Sequence, residues 1–423
     1  MKQNEEDNIV QEIPSILGKR RLFPGDRVLW AIVIMLFAIS LVAVYTASSK
    51  LGFTDGTIDR EFRRHIITIG ISLGCMLFCY FLGANLMRAL TRVVYAGVFV
   101  MTLIPYFQAP INGAHRWLDM GFFMFQPSEL LKITTIMLLA AQLSAKHHII
   151  KKIHLLPTTF DVRKWGSERE RKIIFDEIIP ILYPIALTCA VILPDATSSA
   201  IHIFIVSLVM LFIAGISFRE LAKFIVVAAF VGLVMLFTVG RGDTVIRRVG
   251  VWLRIERFVN NEDSSSGGSS KDTYYSKMAI QNGGVFGVGA GRSMMRTKLM
   301  HPESDYLFAI VVEEFGLLLS SVIILLYLWL FFRSLRIFEK CEWLYAGLLA
   351  VGLALLITSQ GFLHISVALG ILPETGQNLP FLTHGRTGMF CASIAVGIIL
   401  SISRQVEQGT LVPPSQQDKN RDI

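Results

Sequence analysis

The chain has 423 residues, of which 53% are hydrophobic and only 17% charged, with a net charge of +8. At a mean hydropathy of +0.56 it is too apolar for a soluble globule of this length and reads as an integral membrane protein. Nucleic acid is not the expected partner for the positive charge, because no basic helix or aromatic platform accompanies it.

The first 27 residues are polar, and the first apolar run is long enough to span, so no cleavable signal is expected. Apolar runs then fall at 28–47, 66–83, 93–107, 129–145, 174–193, 200–215, 221–239, 306–331, 343–370 and 386–402. The expected fold class is all-α: a polytopic membrane protein with ten transmembrane helices and a long outer loop between helices 7 and 8. The expected organisation is an N-terminal segment 1–27, a membrane domain 28–404 containing the outer loop 240–304, and a disordered polar tail 405–423. Lys and Arg concentrate in "LGKRRLFPGDR", in the loop between the fourth and fifth runs, and in "RSLRIFEK". With ten spans these stretches share one side, which places both termini in the cytoplasm. The five cysteines, Cys75, Cys79, Cys189, Cys341 and Cys391, show no metal-site spacing and read as packing residues rather than disulfides.

Chemistry-bearing residues concentrate on the opposite side. In "INGAHRWLDMGFFMFQPSELLK" (111–132), Arg116 and Trp117 precede a helix that Pro127 suits at its first turn. Glu129 and Lys132 lie three apart on one helical face, either as a structural ion pair or as part of a site. Trp117 is equally explained as an interfacial aromatic. "LPDATSSA" places Asp195 where it would cap the next helix. The loop 240–304 carries ten basic and six acidic side chains, a net of +4. That invites an anion such as a phosphate head group, with Arg254, Lys277 and Arg292 as candidate contacts, or else it is a solvated surface. "SSSGGSS" (264–270) reads as a flexible linker. In "KMAIQNGGVFGVGAGRS" the glycines either bring backbone N–H groups to a phosphate or make a tight turn with positive φ. "LPETGQNLPFLTHGRTG" (372–388) reads as a re-entrant loop lining a cavity. His364 and His384 read as hydrogen-bonded groups rather than metal ligands. In "HPESDYLFAIVVEEFG" (301–316), Asp305 stands at the mouth of an apolar run, whereas Glu313 and Glu314 lie within it. A carboxylate inside a membrane needs a partner or water. Glu313 lies about 12 Å further along a helix than Asp305, at the usual rise of ~1.5 Å per residue, so one acid for chemistry and two for the bundle is the expected division.

In this order, "NGAHRW", "QPSELLK", "PD", "SKMAIQNGGVFGVGAGRS", "SDYLFAIVVEEFG" and "ETGQNLPF" resemble the SEDS (shape, elongation, division, sporulation) family. The likeness covers about 28–404. "TGQNLP" and "LSISRQ" are more similar to its FtsW division branch than to its RodA elongation branch. The resemblance implies a peptidoglycan glycosyltransferase that polymerises lipid II on the outer face of the bacterial cytoplasmic membrane, at the division septum. It also implies a class B penicillin-binding protein as partner, together with other divisome membrane proteins. Asp305 falls on the family's essential outer-loop aspartate, and Trp117, Glu129 and Lys132 on positions of its cavity. "THGRTG", with Arg386 at a glycine position, His364 at an asparagine position, and "ATSSA" depart from the family pattern.

The residues fit that chemistry. Glycan extension needs an acceptor hydroxyl to attack an anomeric carbon, which a carboxylate can assist as general base by roughly 10²–10⁴-fold. The lipid pyrophosphate leaving group needs cations or backbone donors, from the basic loop, Lys132, or a divalent cation. No other cofactor is expected. A RodA-type elongation polymerase, a lipid II flippase and a scaffold for a partner synthase are the rival readings.

Overall fold

The computed structural model describes residues 24–48, 57–109, 115–119, 121, 124–150, 173–238, 242, 245–246, 248–250, 252–253, 268–299, 305–383 and 385–411. The helices of interest are α1 (Arg27–Ser48), α2 (Thr57–Phe81), α3 (Ala84–Leu103), α4 (Pro127–Ala145), α5 (Ile179–Ile192), α6 (Thr197–Ile213), α7 (Phe218–Thr238), α8 (Gly268–Gly283), α9 (Leu307–Lys340), α10 (Leu344–Ala368) and α11 (Arg386–Glu407). Every apolar run in the sequence became one of these helices. Runs of this kind close all backbone hydrogen bonds within the segment, the condition for crossing hydrocarbon. Among the described residues seven helices are long and apolar enough to cross a membrane: α1, α2, α3 with its 3₁₀ extension, α7, α9, α10 and α11. Pro127 occupies the first turn of α4 as expected.

Helices α10 and α11 are buried over most of their length and form the centre of the bundle. Around them α9 packs on α10, α2 on α11, α4 on α10 and α3, and α1 on α9. Close approaches use small residues, as helix pairs in lipid commonly do: a Cβ at Gly397 of α11 would come within 2.9 Å of Cys79 Cβ on α2. α7 stands at the periphery, with only 6% of its apolar window buried.

At one end, Asp26 ties the chain together. Its carboxylate accepts from Arg333 Nε at 2.7 Å, and its N–H donates to Ser403 Oγ at 2.9 Å. The helix-rich expectation needs three amendments. Leu118–Asp119 and Met124–Phe125 form a two-residue antiparallel ladder, paired across a tight bend where Gly121 adopts φ 81°. α8 occupies part of the 240–304 stretch and begins inside the segment read as a linker; residues 264–267 of that segment lie outside the described residues. α11 continues to Glu407, and Leu411 is packed against the bundle, so the boundary of the tail drawn at 405 falls inside structure. Residues 412–423 lie outside the described residues.

The long helix α9 is broken at Gly316, with φ 78° and ψ 173°. The glycine-rich turn after α8 fits into this break. Val288 and Gly289 N–H donate to the carbonyls of Glu313 and Glu314, both at 2.9 Å, and Leu317 and Leu318 N–H donate to the carbonyls of Gly284 and Val285 at 3.0 and 3.2 Å. Gly287 adopts φ 81°, and a Cβ there would lie 2.6 Å from Glu314 C and from Gly316 N. The break therefore leaves these backbone groups paired.

Candidate active site

Asp305 sits in the turn that leads into α9 and is half-buried. Its neighbour Tyr306 is buried, and its hydroxyl donates to Glu374 Oε1 at 3.0 Å and contacts Thr273 Oγ1 at 3.3 Å. Burial first, and the Glu374 carboxylate second, push the Tyr306 phenol up, so it remains a neutral donor at ordinary pH. Tyr306 thus anchors the turn carrying Asp305 to the 371–385 loop and to α8.

That loop reaches several elements. Glu374 O accepts from Arg248 Nη1 at 3.3 Å. Thr375 O accepts from Ser198 Oγ at 2.6 Å. Gln377 donates to Ser199 Oγ at 2.6 Å, and its carbonyl contacts His364 Nδ1 at 2.9 Å. Asn378 O accepts from Gln360 Nε2 at 3.1 Å. Gln360 Oε1 in turn accepts from Lys132 Nζ at 3.3 Å, and Lys132 Nζ lies 2.9 Å from Glu129 Oε1. One loop therefore joins the Asp305 turn to the Glu129–Lys132 pair.

Both members of that pair are buried, Lys132 completely, beside a cavity of about 20 Å³ lined in part by Glu129, Gln360, Pro380 and Cys391. That is room for about one water. Glu129 and Lys132 form an ion pair, and Lys132 also donates to Gln360.

The Arg116 guanidinium lies 5.6 Å from the Trp117 ring centroid, and Trp117 is half-buried. Arg116 and Asp195 line a common crevice with Tyr106 and His115. Asp195 does not cap α6: the cap position is Ala196, and no side chain bonds there. Lys277 and Arg292 are exposed. The Lys277 stem lies across Gly370, whose Cβ would come within 3.1 Å of Lys277 Nζ. Arg254 and His384 lie outside the described residues. Arg386 begins α11, with Gly385 at its cap.

The glycine-rich turn resolves toward the structural alternative. The N–H groups of Gly287, Val288 and Gly289 are all spent on carbonyls and are not a phosphate cradle. Glu313 also has a structural place. Its carboxylate accepts from the Ser293 hydroxyl, from Asn282 Nδ2 at 3.4 Å, and from Met294 and Met295 N–H at 3.3 Å each, which pins the segment after the glycine-rich turn. Glu314 lies 3.9 Å from Arg296 Nη1. The five cysteines are free thiols. Among the described residues no group of three or more His, Cys, Asp or Glu is placed to hold a metal ion.

A bundle of long apolar helices, with Asp305 in the turn before α9 and the 371–383 segment packed beside it, defines a polytopic membrane protein. The chain belongs to the FtsW/RodA/SpoVE cell cycle protein family, whose model matches residues 26–408. It is 30% identical over 391 residues to stage V sporulation protein E of Bacillus subtilis, covering 90% of this chain and 97% of that protein. It is 26% identical over 396 residues to the probable peptidoglycan glycosyltransferase FtsW of Haemophilus influenzae, covering 90% of each. The fold matches a chain in the structure described as "Structural coordination of polymerization and crosslinking by a peptidoglycan synthase complex", with TM-score 0.64 and 20% identity over 90% of this chain and 98% of that one. It also matches Thermus thermophilus rod shape determining protein RodA, with TM-score 0.57 and 20% identity over 93% of this chain and 99% of that one.

Proposed function

We propose that this protein is a peptidoglycan glycosyltransferase that polymerises lipid II at the outer face of the cytoplasmic membrane, in septal wall synthesis during cell division. It has ten spans with both termini cytoplasmic, and it works beside a class B penicillin-binding protein and other divisome membrane proteins. Family membership and the names of its relatives support the reaction class. The observation that carries the site is the Tyr306–Glu374 bond, which fixes the turn bearing Asp305 against the re-entrant loop.

In this reading Asp305 accepts the proton of the acceptor sugar's 4-hydroxyl as that oxygen attacks the anomeric carbon. The bond to the pyrophosphate breaks, and its electron pair leaves with the lipid diphosphate. One displacement inverts an α-linked donor to a β-linked product, so no second, nucleophilic carboxylate is needed. Arg254, Lys277 and Arg292 offer charge to the leaving group. The buried Glu129–Lys132 pair holds Gln360, and through it the loop, in position.

The test is polymerisation of labelled lipid II by purified protein with a matched class B partner, with and without a chelator. Asp305→Asn is expected to abolish polymer while expression, membrane insertion and partner binding persist. Asp305→Glu moves the carboxylate by about 1 Å and is expected to lose on the order of 10²-fold. A fully active Asp305→Asn protein removes Asp305 as the base. The chelator arm decides whether a divalent cation assists the pyrophosphate.

A further inference from the structure

At the end of the bundle opposite Asp305, the first two turns of α3 and the last turn of α4 line an open pocket of about 360 Å³. Its walls are Asn85, Arg88, Thr91 and Arg92 with Ala89 from α3, and Gln142 with Ala141 and Ala145 from α4. The alanines leave the space open, and the Thr91 hydroxyl is spent on Met87 O at 2.6 Å. Arg88 and Arg92 are four residues apart and share one face of α3. Arg88 is held over the Trp343 ring at 5.4 Å and near Tyr345 at 6.0 Å. Tyr345 is itself tied to Thr91 at 3.3 Å. Aromatic stacking fixes the direction of a guanidinium without neutralising its charge. Among the described residues neither arginine has a carboxylate partner.

A second observation points the same way. Asn85 Oδ1 is buried and has no hydrogen-bond partner, although a buried polar atom ordinarily has one. A ligand that supplies both an anion for the arginines and a hydroxyl or ammonium donor for Asn85 would satisfy the whole wall. Beside the pocket, Leu86, Leu90 and Val93 are exposed on α3, as expected of a lipid-facing strip. Basic pockets between helices on the cytoplasmic side bind phosphate-bearing lipid head groups.

We propose that this pocket is a phosphate-binding site, taking a phosphate group on Arg88 and Arg92 with its hydroxyl or polar substituent toward Asn85. The phosphate comes from an acidic phospholipid or from a free anion, and the two sources separate experimentally. The site lies apart from the Asp305 end, and its test reads binding rather than polymerisation.

Thermal unfolding is followed for the full chain in phosphatidylcholine nanodiscs, with and without phosphatidylglycerol, and in detergent with inorganic phosphate against chloride at matched ionic strength. Phosphatidylglycerol is expected to raise the unfolding temperature of the wild type. Each of Arg88→Gln and Arg92→Gln should weaken binding roughly tenfold, the loss of one charge-assisted bond. The double variant should lose the shift, and Arg88→Lys/Arg92→Lys should keep part of it. Ala89→Phe fills the pocket while retaining both arginines and should also lose the shift, which separates a built site from diffuse surface charge. A shift with inorganic phosphate alone, lost in the same variants, assigns the site to a free anion. No shift beyond chloride in either arm overturns the proposal, as does a phosphatidylglycerol shift that survives both the double variant and Ala89→Phe.

Discussion

Replacing Gly316 by alanine tests the lock between the glycine-rich turn and α9. The residue adopts φ 78° and ψ 173°, a region essentially reserved for glycine, where a side chain costs about 1–3 kcal/mol. Space is lacking as well, because a Cβ would lie 2.5 Å from Phe286 C and 2.6 Å from Gly287 N. These are backbone atoms, so the turn itself must retreat. Retreat breaks some of the four backbone bonds that join residues 284–289 to 313–318, at roughly 0.5–1.5 kcal/mol each. The expected cost is about 3–6 kcal/mol, a large share of the 5–15 kcal/mol typical of folded domains. Gly291→Ala is the internal control. Its φ is 74°, but a Cβ there meets nothing within 4 Å, so strain alone applies, at about 1 kcal/mol. Thermal unfolding and protease sensitivity of the 268–299 segment in detergent give the readout. Gly316→Ala should unfold at clearly lower temperature and expose that segment, with Gly291→Ala between it and the wild type. Equal stability of all three proteins would refute the lock.

Lys132→Met leaves Glu129 buried without its cation and should cost about 3–5 kcal/mol, with much of the loss recovered in Lys132→Met/Glu129→Gln; comparative melting of the three proteins checks this. Neutralising Lys277, Arg292 or Arg254 singly should leave the melting temperature near wild type. Each should lower polymerisation at limiting lipid II, by the loss of one charge-assisted contact of roughly 1.5–3 kcal/mol; wild-type rates in all three would remove the basic loop from the site. A reporter placed after Leu411 should behave as cytoplasmic and one within 264–270 as external. An internal signal from the second would invert the topology.

The spanning helices were readable because each coincides with a long apolar run, and the bilayer requirement turns such runs into helices whatever their neighbours. The Glu129–Lys132 pair was readable because its members are three apart on one helix. What escaped depends on partners distant in sequence. "DTYYSKMAIQNG" is polar enough to pass for loop, and α8 persists because its buried face rests on α9 and α10, with Ser276 Oγ donating to Ala368 O at 2.6 Å. Gly316 gave no sign of a break, since a lone glycine in a long apolar run is ordinary; its meaning lies with the turn some 30 residues earlier. Gln360 was overlooked because nothing local distinguishes it; only the fold brings it between Lys132 and Asn378. Asp195 was assigned a cap from its position before a helix, but the structure places it toward Arg116 and Tyr106 instead.

The interlocked glycine turn also bears on biogenesis. α8 and the turn are synthesised before α9, so the partners for the break already exist when Gly316 arrives. The groups that close the break lie on that turn, and unpaired backbone groups are costly in hydrocarbon. α9 can therefore enter as a plain, continuous helix and kink only when the turn docks. On this account insertion and shaping of α9 are separate events, and the glycine-rich turn acts as the template for the second.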